Sequence, residues 1–281
     1  MKIISSAADL AVAVSDARQQ GKSVAFVPTM GALHDGHISL VDIAHQQADF
    51  VVVSIFVNPL QFGANEDFDK YPRTLQADAE KLSQFDVDVL FAPSVEDVYP
   101  NGNQITQHAG AVGETFEGAV RPGHFDGMLT VVARLFDLVK PDFSIFGNKD
   151  AQQLFLIRQM VTNSNHRWNA MQVIGAPIIR EEDGLAMSSR NRYLSQEERE
   201  LAQKISRALR AAEATDGHAA ARIDAAQQVL ATAPAVRLDY VVLVDPATFE
   251  PIEAGFVGRA LLIIAARVGN TRLIDNLSIT I

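Results

Sequence analysis

The sequence predicts an α/β protein: a Rossmann-like, doubly wound parallel sheet followed by a smaller α+β domain with a three-stranded antiparallel sheet. The first observation is that apolar runs typical of buried strands alternate with helix-like segments as far as about residue 174. The second is residues 195–232, which are rich in Ala, Glu, Gln and Arg and lack strand alternation. Three strand-like runs follow, at 236–244, 261–268 and 271–279, with a Gly269-Asn270 hairpin signal and short connections. We therefore predict two domains, residues 1–178 and 179–281.

The first domain is predicted to begin with a helix capped at Ser5 or Ser6. Five strands follow, at residues 24–27, 49–57, 87–91, 142–146 and 171–174. Helices are predicted after residue 37, from Thr74 to about residue 85, at 128–139 and after residue 150. Strands that alternate with helices imply parallel pairing through right-handed crossovers. The loop-rich stretch 92–123 is long for a passive connection, which suggests a functional excursion.

The composition is that of a folded protein and argues against several classes of function. The chain has 281 residues, 48% of them hydrophobic and 21% charged, which is typical of globular domains. Its net charge of −10 argues against a broad electrostatic hold on nucleic acid. The absence of cysteine excludes disulfides and thiol chemistry. The first residues lack a signal-peptide pattern and no apolar run reaches membrane-spanning length, so we expect a cytoplasmic protein without a membrane partner.

The most informative segment is Pro28-Thr-Met-Gly-Ala-Leu-His-Asp-Gly-His37, a turn between a predicted strand and a predicted helix. His34 and His37 lie where the helix begins, and the unpaired N–H groups of a helix start favour an anion such as phosphate. The imidazoles can donate to phosphate oxygens as negative charge develops on them. The first hypothesis is a nucleotide-triphosphate site, although the segment is neither a P-loop nor a dinucleotide-binding motif. Three alternatives stay open. The histidines could lie on a surface loop, the glycines could simply form a turn, or the two histidines could bind zinc with Asp35 as an awkward third ligand.

Polar residues also follow other predicted strands, at the edge where α/β sheets bind ligands. Asn58 and Gln61 come after the strand at 49–57 and suit uncharged hydrogen bonding to a substrate, or simply form a turn. Arg121 and His124 suit an anion, or lie on an ordinary surface loop.

The strand at 142–146 runs through another glycine turn into a helix, this time with a cation. Lys149 can pair with phosphate, and Asp150 can cap the helix or accept hydrogen bonds from ribose hydroxyls. Gln152 and Gln153 are adjacent and point in different directions on the helix, so one of them is a candidate to face a ligand.

Ser188, Ser189 and Arg190 place two hydroxyls and a guanidinium in sequence, a set suited to polyphosphate. Together with the histidine loop, this segment resembles the paired signatures of class I aminoacyl-tRNA synthetases and nucleotidylyltransferases, which grip ATP from two sides. The second signature departs from that pattern, because Arg190 stands where the second Lys would be.

The resemblance becomes narrower when the whole chain is considered. Six segments in order resemble the pantoate–β-alanine ligase family: Pro28-Thr-Met-Gly-Ala-Leu-His-Asp-Gly-His37, Phe56-Val-Asn-Pro-Leu-Gln-Phe62, Tyr71-Pro-Arg-Thr74, Arg121-Pro-Gly-His-Phe-Asp-Gly127, Gly147-Asn-Lys-Asp-Ala-Gln-Gln153 and Met187-Ser-Ser-Arg-Asn191. The similarity extends through Tyr240-Val-Val-Leu-Val-Asp245 and Ala266-Arg-Val-Gly-Asn270, so it covers essentially the whole chain. Asn148 departs from the family pattern, in which Glu or Gln is expected.

This resemblance implies an ATP-dependent ligase that works through an acyl adenylate. Pantoate carboxylate would attack the α-phosphorus of ATP, and the β-alanine amine would then attack the acyl carbon to give pantothenate and AMP. The family also implies Mg²⁺ with ATP and a homodimer, and a C-terminal domain that closes as a lid. A nucleotidylyltransferase acting on a different small acid or phosphorylated substrate, and a non-catalytic nucleotide-binding regulator, are the alternatives.

The resemblance also assigns roles to residues. His34 and His37 would bind the ATP phosphates, with His37 mainly an electrostatic stabiliser, although it is the residue usually assigned as proton donor. The phosphate grip would be completed by Lys149, Ser188, Ser189 and Arg190. The nucleotide site would be lined by Met30, Gly31, Ala32, Leu33, Asp35, Gly36, Gly147, Asn148, Asp150, Ile179 and Met187. Pantoate would be held by Gln61 and Gln153, with Asn58, Tyr71, Arg121 and His124 as further candidates; no residue is assigned to a metal.

Overall fold

The chain forms two units in the computed structural model, which describes residues 1–63, 68–69, 71–168 and 170–281. The first unit comprises Met1–Asn148 and Gln152–Pro177, and the second comprises Lys149–Ala151 and Ile178–Ile281. Within the residues described, no helix is both long and apolar enough to cross a membrane.

A parallel sheet forms the centre of the first unit and confirms the predicted doubly wound architecture. In the described part of the chain it has six strands: β1 (Lys2–Ile4), β2 (Val24–Thr29), β3 (Phe50–Ile55), β4 (Val89–Phe91), β5 (Phe143–Gly147) and β6 (Gln172–Ala176). Their order is β1-β4-β3-β2-β5-β6, with parallel pairing throughout. Five of them correspond to the predicted strands. Strand β1 was not predicted, because this three-residue strand at the sheet edge is too short and too exposed to show a strand pattern.

Helices cover both faces of this sheet, as the continuous apolar runs predicted. Val24 and Phe26 of β2 pack in one apolar cluster, whereas Ala25 and Val27, whose side chains point to the opposite face, pack in another. The helices are α1 (Ala7–Gln19), α2 (Asp35–Gln47), α3 (Leu75–Leu82), α4 (Val95–Val98), α5 (Glu117–Val120), α6 (His124–Val139) and α7 (Ala151–Thr162). Ser6 caps α1 by accepting from the Asp9 N–H, so the second of the two predicted capping residues is the one used.

Helix α6 begins at His124, earlier than the predicted start at residue 128. Gly123 precedes it in the left-handed region, with φ of +78°. Gly127 lies inside the helix, where an added Cβ would be only 2.0 Å from the Leu60 carbonyl oxygen. The glycine therefore serves a close approach of α6 to a distant segment, which the local sequence pattern does not reveal.

The long connection at 92–123 is ordered by contacts to α6. Thr130 of α6 accepts from the backbone N–H groups of Thr106 and Gln107, each at 3.1 Å. Asp126 accepts from the Ala109 N–H at 2.8 Å. The connection itself contains α4, a 3-10 helix at Ala111–Glu114 and α5.

The second unit pairs two helices with the predicted three-stranded antiparallel sheet. Its elements are α8 (Gln196–Ala214), α9 (Ala219–Ala231), β7 (Val236–Val244), β8 (Arg259–Val268) and β9 (Thr271–Thr280). Leu209 of α8 and Leu230 of α9 share an apolar cluster with Leu262 and Ile264 of β8. The turn at 269–270 joins β8 to β9 as predicted, whereas the predicted short connection between β7 and β8 is wrong, since residues 245–258 separate them.

Candidate active site

The strand order of the parallel sheet reverses between β2 and β5, which lie side by side. In open parallel sheets, ligands bind outside the carboxyl ends of the strands at such a switch point. The segment that begins with Met30 leaves β2 there, and Asn148 follows the end of β5 there. The topology thus brings together two of the predicted site segments.

The segment after β2 is a tight turn that leads directly into α2. Gly31 and Ala32 both have positive φ, at +85° and +52°. The Thr29 hydroxyl donates to the Ser54 carbonyl at 2.7 Å and accepts from the Gly31 N–H at 3.2 Å. His34 then precedes α2 as its N-cap residue, so the helix begins at Asp35, within the predicted histidine pair and slightly before the apolar segment that follows residue 37.

A buried carboxylate that the sequence analysis did not single out lies against this turn. Asp78 of α3 is 4% exposed and accepts from the N–H groups of Ala32 at 3.0 Å and Leu33 at 2.8 Å. Thr74 precedes α3 as predicted, but its hydroxyl donates to Asp78 at 3.0 Å instead of capping the helix. No local motif marks Asp78, because its backbone partners Ala32 and Leu33 lie more than 40 positions earlier in the chain.

His34 and His37 lie together at the start of α2, with ring centroids 4.1 Å apart. Nδ1 of His37 accepts from the His34 backbone N–H at 3.3 Å. Since a neutral imidazole carries one proton, that proton is on Nε2 of His37. His37 therefore has a definite ring tautomer whose Nε2–H is a hydrogen-bond donor.

Gln61 is held by a network centred on Asn58, which is 1% exposed. The Asn58 amide donates to Gln61 Oε1 and to the Gly127 carbonyl, both at 3.1 Å. Its oxygen accepts from the Tyr99 hydroxyl at 2.9 Å and the Leu60 N–H at 3.2 Å. Burial raises the pKa of Tyr99, which keeps that hydroxyl a donor. These four bonds occupy the whole amide group, so Asn58 positions Gln61, and its direct contact with a substrate stays a prediction.

Arg121 and His124 both reach the backbone of Gln61. His124 Nδ1 lies 2.8 Å from the Gln61 carbonyl and must donate to it, so Nε2 accepts from Arg121 at 3.0 Å. A second Arg121 nitrogen donates to the same carbonyl at 3.4 Å. The Gln61 side chain itself lies 3.2 Å from the Met30 sulfur. The structure thus brings Gln61, Arg121 and His124 together beside Met30, while anion binding by Arg121 and His124 stays a prediction.

The adjacent glutamines of α7 have different surroundings. Gln152 is 4% exposed; it donates to the carbonyls of Val112 and Thr115 and accepts from the Glu117 N–H. Gln152 therefore holds the long connection in place. Gln153 is half-buried and stays the candidate for a ligand.

Two further predicted positions have identifiable neighbours in the first unit. The Asn148 side chain packs against β6, because its Oδ1 lies 2.2 Å from where a Cβ at Gly175 would be. Tyr71 is buried, with its ring edge-on to Phe62 at 5.8 Å. Residues 64–67 and residue 70, which precede Tyr71 in the chain, lie outside the described residues.

Asp35 and Gly36 begin α2 and Gly147 ends β5 in the first unit, whereas Lys149, Asp150 and the predicted residues from Ile179 to Arg190 belong to the second unit. The Met187 N–H donates to the Ile179 carbonyl at 3.0 Å, so these two positions are neighbours in a hairpin that ends at Ser188. Ser188 precedes the 3-10 helix Ser189–Tyr193 and accepts from the Arg190 N–H at 3.3 Å. The Lys149 ammonium nitrogen Nζ lies 3.7 Å from Oδ1 of Asp150. The structure therefore groups Ile179, Met187, Ser188, Ser189 and Arg190 on one short segment.

This hairpin is fixed by ionic and amide contacts. Arg180 forms a two-pronged pair with buried Asp275 of β9, at 2.6 and 3.0 Å. Arg199 of α8 pairs with Glu181, which raises the pKa of the guanidinium. Asn191 donates to Glu181 at 2.7 Å and is 7% exposed. The segment is thus attached to both the helices and the sheet of its unit.

Comparison with known proteins agrees with this geometry. The family model described as pantoate-beta-alanine ligase matches residues 2–278. The chain belongs to this family. As a member of it, the chain is an enzyme of the pantoate–β-alanine ligase class, and the resemblance inferred from the six segments is confirmed.

Relatives in this ligase family match over most of their lengths. Pantothenate synthetase of Acidothermus cellulolyticus is 56% identical over 260 residues, 90% of this chain and 84% of that protein. The Leifsonia xyli enzyme is 51% identical over 282 residues, which cover 100% of this chain and 97% of that protein. Pantothenate synthetase of Thermus thermophilus superposes with a TM-score of 0.91 at 46% identity, covering 99% of each chain. The Francisella tularensis ligase, solved with β-γ ATP and β-alanine, superposes with a TM-score of 0.80 at 37% identity. The match covers 99% of this chain and 97% of that chain.

Proposed function

We propose that this chain condenses (R)-pantoate with β-alanine at the expense of ATP, through a pantoyl adenylate. The observation that carries the proposal is the whole-chain likeness to the Francisella ligase, which was solved with an ATP compound and β-alanine. The histidine pair at the start of α2 supports it, because a helix N-terminus with imidazole donors suits a triphosphate.

The reaction proceeds in two displacements. A carboxylate oxygen of pantoate attacks the α-phosphorus of ATP, and the bond from that phosphorus to the bridging oxygen breaks to release pyrophosphate. The β-alanine amine, as the free base, then attacks the acyl carbon; the acyl C–O bond breaks, AMP leaves and the nitrogen loses a proton. Both steps need positioning and charge stabilisation, with no covalent enzyme intermediate.

His37 acts on the phosphates as an electrostatic stabiliser. Its Nδ1 accepts from the His34 N–H, so the ring proton is on Nε2, the nitrogen that we assign to donate to a phosphate oxygen. The other ATP contacts in this proposal are residues 30–36, Gly147, Asn148, Lys149, Asp150, Ile179, Met187, Ser188, Ser189 and Arg190. Lys149 and Arg190 supply positive charge, as a point charge and a planar fork respectively.

Pantoate is held by neutral groups in this proposal. Gln61 and Gln153 hydrogen-bond its hydroxyls, which leaves the carboxylate free to attack, and Gln61 also lies near the β-alanine site. The Asn58 amide and the His124 ring fix the side chain and the backbone of Gln61, which supports a pre-organised pocket. Tyr71 and Arg121 complete the set of candidates.

Mg²⁺ accompanies ATP and neutralises phosphate charge when bound. We assign it mainly phosphate and water ligands. Among the residues that the structure describes, no three or more His, Asp and Glu side chains are grouped so that they could hold a metal ion.

The setting also belongs to the proposal. Residues 1–178 bind nucleotide and pantoate, and residues 179–281 act as a lid that excludes water from the reactive anhydride. The enzyme is a cytoplasmic homodimer that acts on small molecules, without a nucleic-acid or membrane partner.

The test is isotope exchange between pyrophosphate and ATP, with and without pantoate and in the absence of β-alanine. We expect exchange only when pantoate is present, because the adenylate must form before pyrophosphate can return. Exchange without pantoate, or ATP binding with no exchange under either condition, would refute the adenylate half-reaction. Adding β-alanine should then give pantothenate and AMP in equal amounts.

A further inference from the structure

Three consecutive backbone N–H groups before α2 each donate to a side chain. The Ala32 N–H donates to Asp78 Oδ2 and the Leu33 N–H to Asp78 Oδ1. The next N–H, of His34, donates to Nδ1 of His37. A carboxylate and an imidazole thus hold the turn from Ala32 to the helix start.

The turn requires such an anchor because its backbone is unusual. Ala32 has φ of +52° although it carries a Cβ, and such residues are uncommon in that region. Successive N–H groups at a turn of this kind converge on one point and form a concave anion-binding nest. Asp78 fills this nest from within the protein. Gly31 permits the approach, since a Cβ there would lie 3.0 Å from Asp78 Oδ2.

We propose that Asp78 is a positioning residue of the ligase: its carboxylate fixes the 31–33 turn and so aims His34 and His37 at the nucleotide. The chain of contacts runs from Asp78 through Leu33 to His34 and from there to the His37 ring. This inference rests on the proposed function for the role of the histidines. The anchoring of the turn by Asp78 does not depend on that function.

The decisive variant is Asp78→Asn, which keeps the shape of the side chain. One of its two oxygens becomes an NH₂ group, which then faces either the Ala32 or the Leu33 N–H, a donor against a donor. We expect kcat for pantoate-dependent exchange to fall about 10- to 100-fold, because small misplacement of catalytic groups has effects of that size. The KM for pantoate should change less than about threefold, because the residues assigned to contact pantoate are unchanged.

Two further variants serve as a charge control and as a milder perturbation of the same carboxylate. Asp42→Asn removes the same charge from an exposed position on α2 and should match the parent enzyme. Thr74→Val removes one of the three donors to Asp78 and should lower kcat about two- to fivefold, a partial form of the same misplacement, while the protein stays folded at the assay temperature. If Asp78→Asn does not fold, parent-like kcat in Thr74→Val would overturn the proposal.

Amide hydrogen exchange gives a readout that is independent of activity. In Asp78→Asn, the Ala32 and Leu33 amides should exchange at least about tenfold faster, with little change within α2. Unchanged exchange at these amides overturns the proposal even if kcat falls. Loss of activity that only follows global unfolding of Asp78→Asn, together with parent-like kcat in Thr74→Val, assigns Asp78 a purely structural role and likewise overturns it. A parent enzyme without pantoate-dependent exchange contradicts the proposed function, while the amide measurement still decides whether Asp78 anchors the turn.

Discussion

Replacing Gly127 with alanine perturbs the packing that supports Gln61. The added methyl group would lie 2.0 Å from the Leu60 carbonyl oxygen, 2.4 Å from its carbon and 2.8 Å from the Gln61 nitrogen. All three are backbone atoms, so no side chain can swing away. To restore an ordinary contact of 3.4 Å, α6 and the 3-10 helix Pro59–Gln61 must separate by about 1.4 Å.

The effects on stability can be estimated from these contacts. Overpacking costs about 1–3 kcal/mol, and weakening the 3.1 Å bond from Asn58 to the Gly127 carbonyl costs about 1 kcal/mol. The higher helix propensity of alanine relative to glycine stabilises the fold by about 1 kcal/mol. We therefore expect a net loss of about 1–3 kcal/mol in the free energy of unfolding. Because Gln61 moves with the 3-10 helix, the KM for pantoate should rise roughly tenfold, while the KM for ATP changes little.

The assay combines urea unfolding with steady-state kinetics. Gly21→Ala is the matched control, because its Cβ would meet nothing within 4 Å although its φ is +75°. That variant should lose about 1 kcal/mol of stability through backbone strain and keep the parent KM for pantoate. A Gly127→Ala enzyme with parent stability would refute the packing argument, and one with lower stability but an unchanged KM would refute the link to Gln61.

Three other predictions concern the site directly. His37→Ala should lower the adenylation rate about 10²-fold or more, as for loss of one transition-state donor; near-normal turnover would remove His37 from its central role. Gln153→Ala should mainly raise the KM for pantoate, and a selective loss of ATP binding in this variant would overturn the assignment of Gln153. Gln152→Ala should mainly lower thermal stability, because Gln152 donates to the Val112 and Thr115 carbonyls. Tyr99→Phe removes a buried donor to Asn58 and should cost about 1 kcal/mol of stability in urea unfolding, with a higher KM for pantoate; unchanged values of both would show that this bond is not required.

The sequence by itself determined the architecture and the family. Strands that are apolar on both faces show as continuous runs, and the hairpin at 269–270 shows as a glycine turn between two such runs, because these signals are local. The six family segments were also readable in order along the chain. The start of α2 at the histidine pair followed from the turn that precedes it.

The tertiary structure alone decided how the candidate residues are supported. Asp78 binds a turn more than 40 positions earlier, and Asn58 receives the Tyr99 hydroxyl from 41 positions later. Gln152, and not Gln153, is the buried member of its pair. Hydrogen bonds of this kind depend on which segments the fold brings within about 3 Å of each other, and neither residue type nor spacing along the chain contains that distance.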